Sequence, residues 1–199
     1  QSKHIPISRY DIVQSYMIFG CIPYYLNYFD PQLSLSQNVD RLLLAHDGKL
    51  KDEYDMLFSS VFSSPDDMKS IVDFVGKRHA GYMRKDISAA TGIEESGNLS
   101  DKLKALVASN FLLEYVPFGE NARNTHFKLV DPFCRFCQTF IKGHRNVVED
   151  FWTQNIDSQS VISWRGIAFE EVCINHIAQV KAGLGISGVS TEQSAWIQR

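Results

Sequence analysis

Between residues 64 and 131 the chain reads helix, helix, helix, strand, strand, an order that few small folds accommodate. Ser64-Pro65-Asp66-Asp67 is a strong helix start. Serine caps, proline takes the first helical position where its missing N–H costs nothing, and two carboxylates sit at the positive end of the helix dipole. Met68, Ile71, Val72 and Val75 follow at i, i+3, i+4 and i+7, one apolar face. A second, short helix runs from Arg84 to Ala90 and stops at Thr91-Gly92; a third covers about Leu99 to Ser109, with Leu99, Leu103, Leu106 and Val107 on one side. Phe111, Leu113 and Tyr115 then alternate, as do Phe127 and Leu129, and the polar stretch from Pro117 to Asn124 reads as a hairpin tip. This is the order of a winged helix-turn-helix.

The flanks are helical in pattern. Residues 1–63 read as a small bundle: a helix over 8–19 capped by Ser8, a break at Gly20-Cys21-Ile22-Pro23, a short helix from Tyr24 to Phe29, and helices at Leu35 to Ala45 and Asp52 to Phe62. Residues 132–162 read as a connecting helix, through about Ile141, and then a polar linker or arm over 143–160. Ser163 to Ala182 is apolar nearly all round, so burial on most sides is expected. Val189 to Arg199 could open a strand. The fold class is therefore mainly α with a small β-hairpin wing.

Composition sets outer bounds. With 199 residues and 44% apolar content the chain suits one or two domains with cores of their own. No apolar run approaches the ~20 residues of a membrane span, and Gln1-Ser2-Lys3-His4 opens no secretory signal. The missing initiator Met reads as an internal start. Four cysteines are too few for a disulfide scaffold and read as reduced thiols, which points to the cytoplasm. A net charge of −3 gives no general pull toward nucleic acid or anionic lipid.

Three motifs, in order, carry a resemblance. Gly20-Cys21-Ile22-Pro23-Tyr24-Tyr25-Leu26 resembles the Gly-Gly-Ile-Pro-x-Tyr-Leu motif in the helical lid of a prokaryotic, archaeal-type AAA ATPase family. Leu129-Val130-Asp131-Pro132-Phe133-Cys134-Arg135-Phe136 resembles the segment after that family's winged helix, and Trp164-Arg165-Gly166-Ile167-Ala168-Phe169-Glu170 the start of its restriction-endonuclease-like domain. Cys21 departs from the family's second glycine. The resemblance implies four parts: a lid (1–63), a winged helix (64–131), a connection (132–162) and the start of an α/β nuclease-like domain (163–199). It implies ATP and Mg²⁺ for an intact parent protein whose ATPase core is another part of the same polypeptide. This chain has no G-x-x-x-x-G-K-[ST] to cradle phosphates, and the Asp and Glu-x-Lys of the nuclease-like site do not follow. The expectation is a regulatory fragment without catalysis or bound cofactor of its own. Nuclease activity would need further sequence.

Candidate sites each have a plain competitor. Asn98 and Lys104 project outward from the third helix with Lys102 at its flank, Asn121 and Arg123 occupy the hairpin tip, and Arg84 and Lys85 open the second helix; together they could hold double-stranded DNA. Yet Asp66 to Asp131 holds nine Lys/Arg and ten Asp/Glu, net −1, where affinity for DNA rests on neutralising phosphate. A module that contacts a protein partner is the competing use. Cys134 and Cys137 form a C-x-x-C that could join Cys173 and His176 around a metal, or simply pack in a core. Glu170, on an apolar stripe, could help hold a metal in an intact nuclease or pair with Arg165. Tyr24, Tyr25, Tyr28 and Phe29 could stack on a base or form the bundle core.

Overall fold

The computed structural model describes residues 8–20, 22–142 and 150–191. The fold is mainly helical with one small antiparallel sheet. The chain divides into two units: residues 1–57 with 132–172, and residues 58–131 with 173–199. Among the described residues no helix is long and apolar enough to cross a membrane.

The first unit opens with α1 (Arg9–Phe19). Ser8 caps it reciprocally with Asp11: the serine oxygen accepts the Asp11 N–H at 3.1 Å and the Asp11 carboxylate accepts the Ser8 N–H at 3.1 Å. Gly20 ends the helix at φ +66°, and the chain restarts at Pro23 as α2 (Pro23–Leu26). Cys21 lies outside the described residues. Next come α3 (Leu35–Val39), which runs on as a π-helical stretch over Asp40–Leu44, and α4 (Glu53–Val61). Of the later residues, α8 (Pro132–Phe136) continues as a second π-helical stretch, Cys137–Ile141, before α9 (Phe151–Asn155) and α10 (Gln159–Asn175). The core here is aromatic. Phe136, Phe140, Trp152 and Trp164 meet edge to face with centroids 5.1–5.6 Å apart, apart from the Phe136–Phe140 pair, which is tilted at 5.2 Å. The same unit holds a buried ion pair, Arg135 with Glu171.

Two expectations are corrected in this unit. The polar stretch over 143–160 is not simply a linker: Phe151–Asn155 is helical, Trp152 is buried, and α10 begins at Gln159; residues 143–149 lie outside the described residues. Nor is the helix after Ser163 buried on most sides. Only Val161, Trp164, Ala168 and Glu171 turn inward, at i, i+3, i+7 and i+10, while Phe169 is 51% exposed. A helix lying on one neighbouring surface buries one stripe, whatever the apolar content of its other faces.

The second unit contains α5 (Pro65–Val75), β1 (Tyr82–Met83), α6 (Arg84–Thr91), α7 (Gly97–Ala108), β2 (Leu112–Tyr115), β3 (His126–Leu129) and α11 (Ile177–Gly183). Met68, Ile71, Val72 and Val75 are the buried face of α5, as their spacing requires. Ser64 holds the N-cap position without a side-chain cap bond, and Pro65 and the two aspartates supply the start. Gly92, at φ +73°, closes α6 in the left-handed region. The sheet order is β1-β3-β2, all antiparallel, with Leu112 opposite Leu129, Tyr115 opposite His126 and Tyr82 opposite Phe127. Gly81 precedes β1 at φ +68°, and a Cβ there would come within 1.9 Å of the Phe127 carbonyl oxygen. Only glycine lets β1 lie against β3. Tyr115 locks the same corner, its hydroxyl donating to the Ala80 carbonyl at 2.6 Å.

From Ser163 to Gly183 the chain is helical, in α10 and α11, and the described residues beyond, 184–191, form turns and irregular chain. The strand considered for Val189 to Arg199 falls mostly on residues 192–199, outside the described residues.

Candidate nucleic-acid interface

Within the second unit a groove of about 390 Å³ opens between the start of α6, the face of α7 and the β2–β3 connection. Four of the basic residues singled out in the sequence line it: Arg84, Lys85, Lys104 and Arg123. They come from separate elements. Arg84 and Lys85 are the first two residues of α6, set by the Asp86 carboxylate, which accepts the Met83 N–H at 3.2 Å. Lys104 projects from the exposed side of α7. Arg123 stands on a one-turn 3-10 helix, Ala122–Asn124, in the β2–β3 connection.

Local bonds hold these positions. The Arg84 guanidinium donates to the Ser96 carbonyl at 2.7 Å, tying α6 to the start of α7. The Asn121 side-chain oxygen accepts the Arg123 N–H at 3.0 Å, Asn124 donates to Glu120 at 2.6 Å, and the Thr125 hydroxyl donates to the Ala122 carbonyl at 2.7 Å. The tip carrying Arg123 is thus braced by its own side chains.

The remaining candidates fall elsewhere. Asn121 braces the tip and does not line the groove. Asn98 is exposed on the first turn of α7. Lys102 is not at an open flank: it is 9% exposed, and its ammonium lies 3.3 Å from the Asp67 carboxylate of α5. Its position, three residues after Leu99 and one before Leu103, puts it on the buried side of the helix. Two further cations of the segment, Lys77 and Arg78, also lie outside the groove, over the rings of Phe74 and Tyr82 at 5.7 and 6.0 Å.

Two acids in the groove, Glu95 and Glu114, were not singled out in the sequence. Glu114 was legible: it falls between Leu113 and Tyr115 in the alternating run Phe111, Leu113, Tyr115, which puts it on the other side of the strand. The four cations against these two acids leave the groove positive within a segment that is net −1.

In the first unit, Cys134 and Cys137 are fully buried in α8 and the π-helical stretch after it; Cys173, the first residue of the second unit's later stretch, is half-buried. Among the described residues no group of three or more His, Cys, Asp or Glu side chains is arranged to hold a metal. Glu170 is exposed; its neighbour Glu171 is the buried carboxylate, paired with Arg135. In the segment over residues 20–26, Tyr25 is buried, packs tilted against Phe133 with centroids 5.0 Å apart and donates its hydroxyl to Glu53 at 3.1 Å, while Ile22 is half-buried and Pro23 and Leu26 are exposed. The aromatic run splits accordingly. Tyr25 and Phe29 are core, Tyr24 is exposed, and the Tyr24 and Tyr28 hydroxyls bond to each other, which raises the Tyr28 pKa above the ordinary tyrosine value. No family model, no curated protein and no solved structure matches this chain.

Proposed function

We propose that this chain is the regulatory, DNA-binding part of an AAA-type ATPase, and that residues 64–131 are a winged helix-turn-helix whose positive groove takes double-stranded DNA. The observation that carries this reading is the convergence of Arg84, Lys85, Lys104 and Arg123 on one groove. The element order α5-β1-α6-α7-β2-β3 and the sheet order β1-β3-β2 support a winged helix, with the β2–β3 connection as its wing. Phosphate affinity depends on local charge, so a net −1 segment can bind where cations outnumber acids, as the four cations do the two acids of this groove. In this reading residues 1–63 are lid-like, ATP and Mg²⁺ act in an ATPase core of the same polypeptide, and nucleotide-driven movement of the lid repositions the winged helix. The chain itself performs no catalysis.

The test is fluorescence anisotropy of a labelled duplex at low and at near-physiological salt. Four phosphate contacts would weaken binding roughly a hundredfold for a fourfold rise in salt. No binding at low salt would end the DNA reading.

One set of observations favours a second reading, a protein-contact module. Glu95 and Glu114 share the groove, and Phe118 in the β2–β3 connection is 67% exposed. A protein partner that binds equally well with and without Lys104→Glu, in a chain that ignores DNA, would establish it.

A further inference from the structure

Resting on the DNA reading above, we infer that the groove grips the sugar-phosphate backbone and does not read base sequence, a departure from the usual role of a third helix laid in the major groove. Base reading calls for Arg or Lys toward guanine, Asn or Gln toward adenine, or a carboxylate toward cytosine, carried along one exposed helix face. The exposed stripe of α7 is Gly97, Asn98, Asp101, Lys104 and Ala108. It offers one amide at its first turn, and three residues later a carboxylate, Asp101, that would meet the negative potential of the duplex. Lys104, three residues beyond, lines the groove. The helix's other cation, Lys102, is buried and committed to Asp67.

The cations that are available stand around the groove rather than along the helix. Arg84 is fixed by its bond to Ser96, Lys85 is exposed on the first turn of α6, and Arg123 sits on the braced tip. Charges on three elements facing one channel suit a run of phosphates, which carry no sequence information. Four such contacts give a slope of log K against log salt of about −3.6.

The experiment uses the full chain and a short random duplex library, taken through rounds of selection, with affinity measured before and after. The expected result is a selected pool that binds within about threefold of the starting pool and a salt slope between about −3 and −4. Asn98→Ala should change affinity by less than about twofold, and the pair Lys85→Glu with Lys104→Glu should lower it by more than about tenfold. Both lysines are exposed, and circular dichroism would verify that the pair folds. A selected pool that binds at least about tenfold tighter, with the gain lost in Asn98→Ala, would overturn the inference and leave the DNA reading standing. Failure of both pools to bind at low salt would overturn the DNA reading and this inference with it.

Discussion

The carboxylate of Asp40 accepts both the backbone N–H and the hydroxyl of Thr153, at 2.9 and 2.6 Å, and so caps a helix 113 residues away in sequence. Its other oxygen accepts the Trp152 N–H at 2.7 Å. The donors at the start of α9 are therefore satisfied from the π-helical stretch after α3 and not by a neighbouring cap residue. Asp40→Ala would strand two backbone donors, one of them buried. The expected loss is roughly 2–3 kcal/mol, with Asp40→Asn losing less because one acceptor remains. Urea unfolding followed by tryptophan fluorescence, to which Trp152 contributes, would read both; equal stability of Asp40→Ala and the parent would contradict the capping role.

Arg135 and Glu171 pose a different question, because both partners of this ion pair are buried. Removing one partner leaves a buried charge without its counter-ion, so Glu171→Ala should cost about 3–5 kcal/mol. Replacing both, as Arg135→Met with Glu171→Leu, should restore most of that stability, since apolar substitutes need no desolvation. A double variant as unstable as the single one would mean that the pair makes bonds which packing cannot replace.

Gly81 and Gly92 both sit at positive φ, yet their substitutions should differ. A Cβ at Gly92 meets nothing within 4 Å, and alanine there should cost about 1 kcal/mol from the dihedral alone. A Cβ at Gly81 would strike the Phe127 backbone at 1.9 Å, so β1 would have to leave the sheet. Gly81→Ala should cost more than about 2 kcal/mol and increase amide exchange in β3. Similar costs at the two glycines would show that the sheet corner can yield.

Lys102 and Lys104, two residues apart on α7, should separate stability from binding. Lys102→Met removes a partly exposed ion pair with Asp67 and should lower stability by no more than about 1 kcal/mol, with DNA affinity within about twofold. Lys104→Glu should leave stability within about 0.5 kcal/mol and weaken DNA binding. Thermal unfolding and anisotropy on the same samples would decide; loss of affinity in Lys102→Met alone would move the interface away from the groove.

How much of this was legible depended on how one-sided each pattern was. α5 alternates apolar and charged residues so cleanly that its four buried residues followed from spacing. α10 is apolar on several sides, so its sequence does not say which stripe faces in or that Glu171, and not Glu170, is the buried carboxylate. β1 has two residues, too few to show alternation, and its place in the sheet depends on Gly81. Trp152 was passed over within a polar stretch because its helix is one turn long and capped from Asp40. Four cations of the groove could be named from the sequence because they open a helix, project from one or sit on a loop. Lys102 could not be placed, because its partner Asp67 lies on another helix.

The first unit is assembled from two stretches separated by residues 58–131, and that imposes an order on synthesis. A chain emerging from the ribosome presents Tyr25, Leu42 and Leu43 long before Phe133, Phe136 and Trp164 exist to complete their unit. The strands and helices between residues 64 and 131 are by then already made. The early bundle must wait with its oily faces uncovered, a window in which a chaperone, or a pause in translation before Pro132, would matter more than the stability of the finished protein.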